Sequence, residues 1–374
     1  MNREPMQILV VKLSSFGDLI HSLPTVHRLK GGLQARITWV VSAQYASLLA
    51  HCPDVDHVIP FDRRRPIGGI VRCLREARRQ TYDLVVDLTG LFKSGMISRL
   101  VRGRVRIGPS YARECSWIFY DCLAGTEARD RHAVEQALDV VRHLGLEPEP
   151  RAFPLVFPMP RLIEAGRGPL VVCVPEARWK TKRWPLSHFV TLAARLVEAG
   201  IRVVLVGEET PQPGDPFVDA NVAEVEDLRG RTSVTELGAI LQVADVVVAN
   251  DTGPIHLAAA LGRPVVALMG PTDPERTGPY GPGHRVLSTA PLCSPCFSRV
   301  CRNPQGHVCL DDVRPEEVLA AVTELLGAPP TSVGTWPHSI SCRGGDGDEA
   351  GSSPDGGPCG GDRGATVRTP RERG

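Results

Sequence analysis

The stretch that decides the fold runs from Asp245 to Pro282: Asp245-Val-Val-Val-Ala249-Asn-Asp251-Thr-Gly253-Pro-Ile-His256-Leu-Ala-Ala-Ala-Leu261-Gly-Arg-Pro-Val265-Val-Ala-Leu-Met269-Gly-Pro-Thr-Asp273-Pro-Glu-Arg-Thr-Gly278-Pro-Tyr-Gly-Pro282. Val246–Ala249 is short, β-branched and without polar alternation, the pattern of a strand buried on both faces. At Asn250-Asp251-Thr252-Gly253 the chemistry changes to that of a helix start, with Thr252 as cap and Pro254 in the first turn. The spacing predicts a helix over 255–261 that Gly262 ends. A second strand, Val265–Met269, follows, and then a polar loop, Gly270-Pro271-Thr272-Asp273-Pro274. Two strands thus deliver polar, glycine-bearing loops to one sheet edge, and in open α/β sheets that edge holds ligands. The helix start offers unpaired N–H groups and a positive dipole end, which suit a phosphate, and His256 falls on the same first turn. Helix capping and a turn would account for any one of these residues singly. Asp251, Thr252, Gly253 and His256 crowded together point to a ligand site.

Working outward, the βα alternation appears twice. Gln7–Val11 reads as a strand that runs into Lys12-Leu-Ser-Ser-Phe-Gly-Asp18 and then a helix to about Lys30. Asp18 sits at that helix start. It is either a carboxylate satisfying the dipole or a general base, held where Gly17 lets the chain approach a substrate. Ile37–Val41, Val58–Phe61, Leu84–Leu88 and Val105–Ile107 continue the strands, with helices between, and 132–144 reads as one amphipathic helix. A proline-rich joint spans 147–169. The alternation then restarts with Leu170–Val174, a helix that Ser187 caps, Ile201–Val206 and a helix ending at Ala244. Two such blocks imply an α/β protein of two Rossmann-like domains facing across a cleft, residues 1–160 and 161–327. Residues 328–374 are rich in Gly, Pro, Ser and Arg with almost no aliphatic pattern, and predict a disordered tail.

Charge narrows the function. The formal net charge is +1, which excludes a simple polyanion binder. Between Arg63 and Arg113, however, thirteen Lys/Arg stand against three Asp/Glu. Arg63, Arg64, Lys93 and Arg113 follow strand ends on the same edge as Asp18, which favours a pocket for an acidic substrate or contact with an anionic surface. Aromatics are sparse here, which argues against single-stranded nucleic acid. No apolar run reaches membrane-span length, and the N-terminus leads directly into a strand rather than a signal peptide. Of eleven cysteines, Cys293, Cys296, Cys301 and Cys309 form a C-x2-C-x4-C-x7-C cluster with His307 inside it. Only the first pair has metal-ligand spacing, and the cluster reads as loop cysteines of a reducing cytoplasm, with no metal assigned.

Four motifs in order, Lys12-Leu-Ser-Ser-Phe-Gly-Asp18, Lys182-Arg-Trp-Pro185, Asp251-Thr-Gly-Pro-Ile-His256 and Gly270-Pro-Thr-Asp-Pro274, resemble the family-9 glycosyltransferases, the lipopolysaccharide heptosyltransferases. The likeness covers roughly residues 7–326 and implies a two-domain GT-B fold. Thr89-Gly-Leu-Phe-Lys-Ser94 and Arg106-Ile-Gly-Pro-Ser-Tyr-Ala-Arg-Glu114 look more like the type I enzyme than type II. The resemblance implies an inverting, metal-independent transfer of L-glycero-D-manno-heptose from ADP-heptose to the Kdo residue of Kdo2-lipid A. The enzyme would be peripheral on the inner face of the inner membrane. By the same resemblance Asp18 matches the general base and Lys182 the lysine on the donor diphosphate. Asp251, Thr252, Gly253 and His256 match the donor loop, Thr232 lines the nucleotide site, and Glu208 or Glu209 supplies a nucleotide-side carboxylate. Ala177-Arg178 stands where type I enzymes tend to carry two threonines. Other readings compete: a type II heptosyltransferase, another sugar-nucleotide enzyme of the same fold (an epimerase or a transferase for another sugar), and a non-catalytic nucleotide- or polyanion-binding protein.

Overall fold

The computed structural model describes residues 4–126, 130–163, 166–220, 222 and 224–327. The tail expected at 328–374 lies outside them. Two parallel six-stranded sheets form the frame. The first holds β1 (Met6–Val11), β2 (Ala35–Ser42), β3 (His57–Phe61), β4 (Tyr82–Asp87), β5 (Gly103–Pro109) and β6 (Cys122–Ala124), in the order β3-β2-β1-β4-β5-β6. The second holds β7 (Leu170–Val174), β8 (Arg202–Leu205), β9 (Val225–Asp227), β10 (Val246–Asn250), β11 (Val265–Leu268) and β12 (Arg285–Leu287), in the order β12-β11-β10-β7-β8-β9. Each sheet therefore places its first strand beside its fourth. That pair is the topological switch point, where connections leave in opposite directions and open a crevice at the strands' carboxyl ends.

The predicted strands form where the apolar runs place them, because helices cover both faces; β6, β9 and β12 are three-residue edge strands that no apolar run announces. Ile8, Leu9, Val10 and Val11 are all inaccessible to solvent, as are Val246, Val247, Val248 and Ala249. The helices depart from expectation in detail. The first is broken in two, Phe16–His21 and Leu23–Leu33, with Ser22 between them and Pro24 starting the second. The helix expected over 132–144 likewise divides into Ala133–Ala137 and Asp139–His143. Ser187 is not a cap: the helix runs Leu186–Glu198 with Pro185 at its N-cap. Thr252 does stand at the N-cap of Gly253–Ala260, but its hydroxyl makes no capping bond.

The two lobes are packed on one another through residues from both. The joint contributes Leu155 and Phe157 to the shared apolar core, and Phe157 lies so close to Gly238 that a side chain there would collide with its ring. His51 Nε2 is 2.9 Å from Thr235 Oγ1, and the Tyr280 hydroxyl donates to Glu135 Oε1 at 2.5 Å. No helix among the described residues is long and apolar enough to cross a membrane.

Candidate active site

The loop after β1 carries Asp18 to the switch point of the first sheet. Ser15 precedes the Phe16–His21 helix, and its backbone N–H and hydroxyl both donate to Asp18 Oδ2, at 2.8 and 2.6 Å. Oδ1 receives no hydrogen bond from the described residues. Asp18 is half-buried. Burial pushes its pKa up, but the Lys12 ammonium and the Ser15 bonds outweigh burial and hold the carboxyl below its usual value. Lys12 itself is anchored by donating to the Leu88 carbonyl at 2.7 Å. Asp18 is therefore ionised at neutral pH, with one oxygen uncommitted.

The loops after β7 and β10 build the facing edge at the switch point of the second sheet. Lys182 ends a short 3-10 turn, Lys180–Lys182. Beside it the Trp184 backbone N–H donates to Asn250 Oδ1 at 2.9 Å, while Asn250 Nδ2 donates to the Pro175 carbonyl at 2.6 Å. This clasp sets Lys182 Nζ 2.5 Å from Asp251 Oδ2 and 4.8 Å from the Trp179 ring centre. The Thr272 hydroxyl also donates to Asp251 Oδ2. Gly270-Pro-Thr-Asp-Pro274 is thus tied to the Asp251 loop through Thr272.

The two edges meet. Phe16 covers Gly253, where a side chain would lie 2.5 Å from the ring, and a side chain at Gly17 would collide with the His256 ring. Both glycines are required by this close approach of two helix starts. His256 is buried, and its Nδ1 lies 3.1 Å from His21 Nε2. Burial depresses the His256 pKa to about 4, with nearby Asp251 opposing it. Burial also depresses His21, with His256 and His132 reinforcing the shift. Both rings are neutral at pH 7.

The remaining sequence-derived candidates fare differently. Arg63 reaches the first edge, where its guanidinium donates to Ser14 Oγ at 3.3 Å. Arg64, Lys93 and Arg113 are exposed. Lys93 lies 5.7 Å from the Phe61 ring centre, and the Arg113 backbone N–H donates to the Gly90 carbonyl at 2.8 Å. Thr232 is half-buried, immediately before Ser233, which caps the Val234–Val243 helix. It makes no hydrogen bond to the Lys182–Asp251 pair. Glu208 is exposed and Glu209 is paired with Arg183 at 2.6 Å.

Three residues beyond those candidates hold the site in shape. Glu176 accepts the backbone N–H groups of Glu208 (2.7 Å) and Glu209 (3.0 Å), joining the loops after β7 and β8. Asp87 is fully buried and accepts from the Tyr120 hydroxyl at 2.8 Å and from the Thr89 and Gly90 N–H groups. It shapes the turn that carries Lys93. Lys12, the first residue of the Lys12–Asp18 motif, holds its ammonium on the Leu88 carbonyl and lowers the Asp18 pKa. The cysteine cluster lies beside the Lys182–Asp251 edge: Cys293, Cys296, Cys301 and Cys309 are free thiols lining one small cavity with His307. His307 Nε2 lies 2.5 Å from the Thr181 carbonyl, next to Lys182. Among the described residues no three His, Cys, Asp or Glu side chains are arranged to hold a metal ion.

Comparison with known proteins places this geometry. The sequence profile of glycosyltransferase family 9 (heptosyltransferase) matches residues 70–307. Lipopolysaccharide heptosyltransferase 1 of Pseudomonas aeruginosa is 31% identical over 367 residues, spanning 87% of this chain and 99% of that protein. The solved structure of Escherichia coli heptosyltransferase WaaC with ADP superposes with a TM-score of 0.70 at 27% identity, over 86% of this chain and all (100%) of that one. The same enzyme with ADP-2-deoxy-2-fluoro heptose gives 0.69 at 27% identity, over 85% and 99%. The fold is GT-B, and with two matching sheets, two polar edges in contact and a family match across most of the chain, the protein belongs to glycosyltransferase family 9, the heptosyltransferases.

Proposed function

We propose that this enzyme moves L-glycero-D-manno-heptose from ADP-heptose to the Kdo residue of Kdo2-lipid A, with inversion, in lipopolysaccharide inner-core synthesis. The observation that carries the proposal is that the helix start bearing Asp18, an ionised carboxylate with one oxygen uncommitted, meets the Lys182–Asp251 and His256 edge across the lobe contact. In a single displacement the acceptor hydroxyl oxygen bonds to the anomeric carbon of heptose. The bond from that carbon to the diphosphate oxygen breaks, and ADP carries the electron pair away. The hydroxyl proton passes to Asp18, which needs only to accept it within hydrogen-bond reach. Negative charge grows on the leaving diphosphate, where Lys182 and the start of the Gly253–Ala260 helix concentrate positive charge. Lys182 has three N–H donors, so its bond to Asp251 leaves two for phosphate oxygens. Asp251 aims the ammonium rather than cancelling its use.

In this reading Thr232 and Glu208 line the nucleotide side, Thr252 and Gly253 bound the phosphate, and no cofactor beyond the donor sugar nucleotide is needed. Arg63, Arg64, Lys93 and Arg113 meet the carboxylates and phosphates of the acceptor. Work at the cytoplasmic face of an anionic membrane suits the same side of the first lobe. There Trp117 (58% exposed), Ile118 (53%) and Phe92 (46%) lie near Lys93 and Arg113 in the chain, an apolar knob flanked by cations. Nucleic acid has no place in this scheme.

The test is incubation of the purified enzyme with ADP-heptose and Kdo2-lipid A, read by product mass. The proposal expects a gain of one heptose. A product formed only on an acceptor that already bears a heptose would reassign the enzyme to the type II step. Transfer to neither would reject the acceptor class.

A further inference from the structure

Behind the reacting groups, three histidine rings from both lobes pack together. The His21 and His256 ring centres are 4.3 Å apart and edge-on, and His132 sits edge-on to His21 at 5.2 Å. All three are buried. Of the three only His256 belongs to the edge described above, and the reaction steps assign it no task, yet the hydrogen bonds around the set determine where each proton lies. His132 is assigned by its neighbours: the Val134 N–H donates to Nδ1 at 3.2 Å, leaving an Nε2–H that donates to the Gly278 carbonyl of the opposite lobe at 3.1 Å. His21 Nδ1 is buried without a partner. A neutral imidazole carries one N–H, and a buried orphan donor is rarer than a buried orphan acceptor. The lone pair of His21 therefore belongs on Nδ1 and its proton on Nε2. That proton points at His256 Nδ1, 3.1 Å away. The His256 proton is left on Nε2, an atom with no hydrogen-bond partner among the described residues. The ring that bears it abuts Gly17, next to Asp18 in the chain.

We propose that His21 is a positioning residue: it locks His256 as the Nε2–H tautomer, so that contact between the lobes turns His256 into a hydrogen-bond donor for the departing diphosphate. His21 touches neither substrate and acts only through His256. The opposite tautomer would leave a lone pair on His256 Nε2, repelling a phosphate oxygen where one must be held. The arrangement also couples the lobes. His21 follows β1 of the first lobe and His256 follows β10 of the second, so the proton is aligned only while the two edges are together. The inference rests on the diphosphate-transfer reading but not on which acceptor is used.

The experiment is nitrogen-15 histidine NMR of the full-length enzyme saturated with ADP at neutral pH. Signals are assigned by their loss in His21→Gln and His256→Gln. The proposal expects both His21 and His256 to carry their proton on Nε2. A His256 proton on Nδ1 overturns it. Because this measurement needs ADP alone, it stands or falls separately from the acceptor assignment, and absence of ADP binding would indict the donor reading instead. Kinetics supply the second arm. His21→Gln keeps a donor near the same place and is expected to retain kcat within about threefold. His21→Leu fills similar volume without a donor and is expected to lower kcat about tenfold, with KM for the donor changed less than about twofold. Equal losses in the two variants would mean that His21 only fills space, and would overturn the assignment.

Discussion

Asp18 follows the first strand of its sheet and Asp251 the fourth strand of the other, so each stands at the switch point of a sheet with the same strand order. Asp18 takes both of its hydrogen bonds on one oxygen, from Ser15 alone, and is half-buried. Asp251 is buried, bound to the Lys182 ammonium and to the Thr272 hydroxyl. The difference is one of commitment. A carboxylate with a spare oxygen and a nearby but non-contacting cation can take up a proton. A carboxylate already spent on an ammonium can only aim it. Two similar sheets thus acquire different chemical tasks from three or four side chains at their loop ends.

The sharpest break in this comparison is Asp18→Asn, which keeps the Ser15 contacts within reach and removes the proton acceptor. Transfer is expected to fall by roughly 10²–10⁴-fold in initial-rate assays. Lys182→Ala should cost on the order of 10²–10³ in kcat. Unlike the Asp18 variant it should also weaken ADP binding, measurable by calorimetry, because Asp251 is then buried with its charge unbalanced. Gly17→Ala pushes a methyl group into the His256 ring and holds the edges apart, with kcat/KM expected to drop about 10²-fold while circular dichroism is unchanged. Smaller still is a pH effect on stability. The folded protein keeps His256 unprotonated down to about pH 4, and burial likewise holds His21 well below its ordinary value, whereas unfolded histidines take up protons near pH 6.5. Stability is therefore full above about pH 6.5 and falls as pH drops toward 4, with at most about 3 kcal/mol from His256. Denaturant midpoints at pH 7.5 and 5 would show this. Among the smallest, Glu176→Ala is expected to lower stability by about 1 kcal/mol through its lost backbone bonds, and Glu208→Ala by less than about 0.5 kcal/mol.

That last pair shows where the sequence was legible and where it was not. Strands such as Ile8–Val11 and Val246–Ala249 announce themselves because burial on both faces removes polar alternation. The residues at their ends stand out because capping and turn chemistry is local. Asp18, Asp251 and His256 stand out in this way and Lys182 only through the family resemblance, and the structure brings all four to one place. Glu176 was not found, since a glutamate in a loop has no periodicity and its partners are backbone groups 32 and 33 residues away. His21 escaped for a different reason: a lone histidine on the apolar face of a helix reads as core, and its partner is 235 residues distant. The helix break at Ser22 goes with Pro24 in the first turn of the second helix, a signal that apolar periodicity across 16–33 alone does not register. The lobe contact itself was expected only as a cleft, because the fit of Gly17 on His256 and Phe16 on Gly253 is a property of two surfaces rather than of either stretch.

In the proposed division of labour one edge binds the donor while the other only accepts a proton. It is tested most directly by measuring ADP affinity and heptose transfer on one preparation of Asp18→Asn. That division predicts a Kd for ADP within about twofold of the native enzyme, alongside the loss of transfer given above. A variant that still transfers at more than about a tenth of the native rate, or that no longer binds ADP, would contradict it.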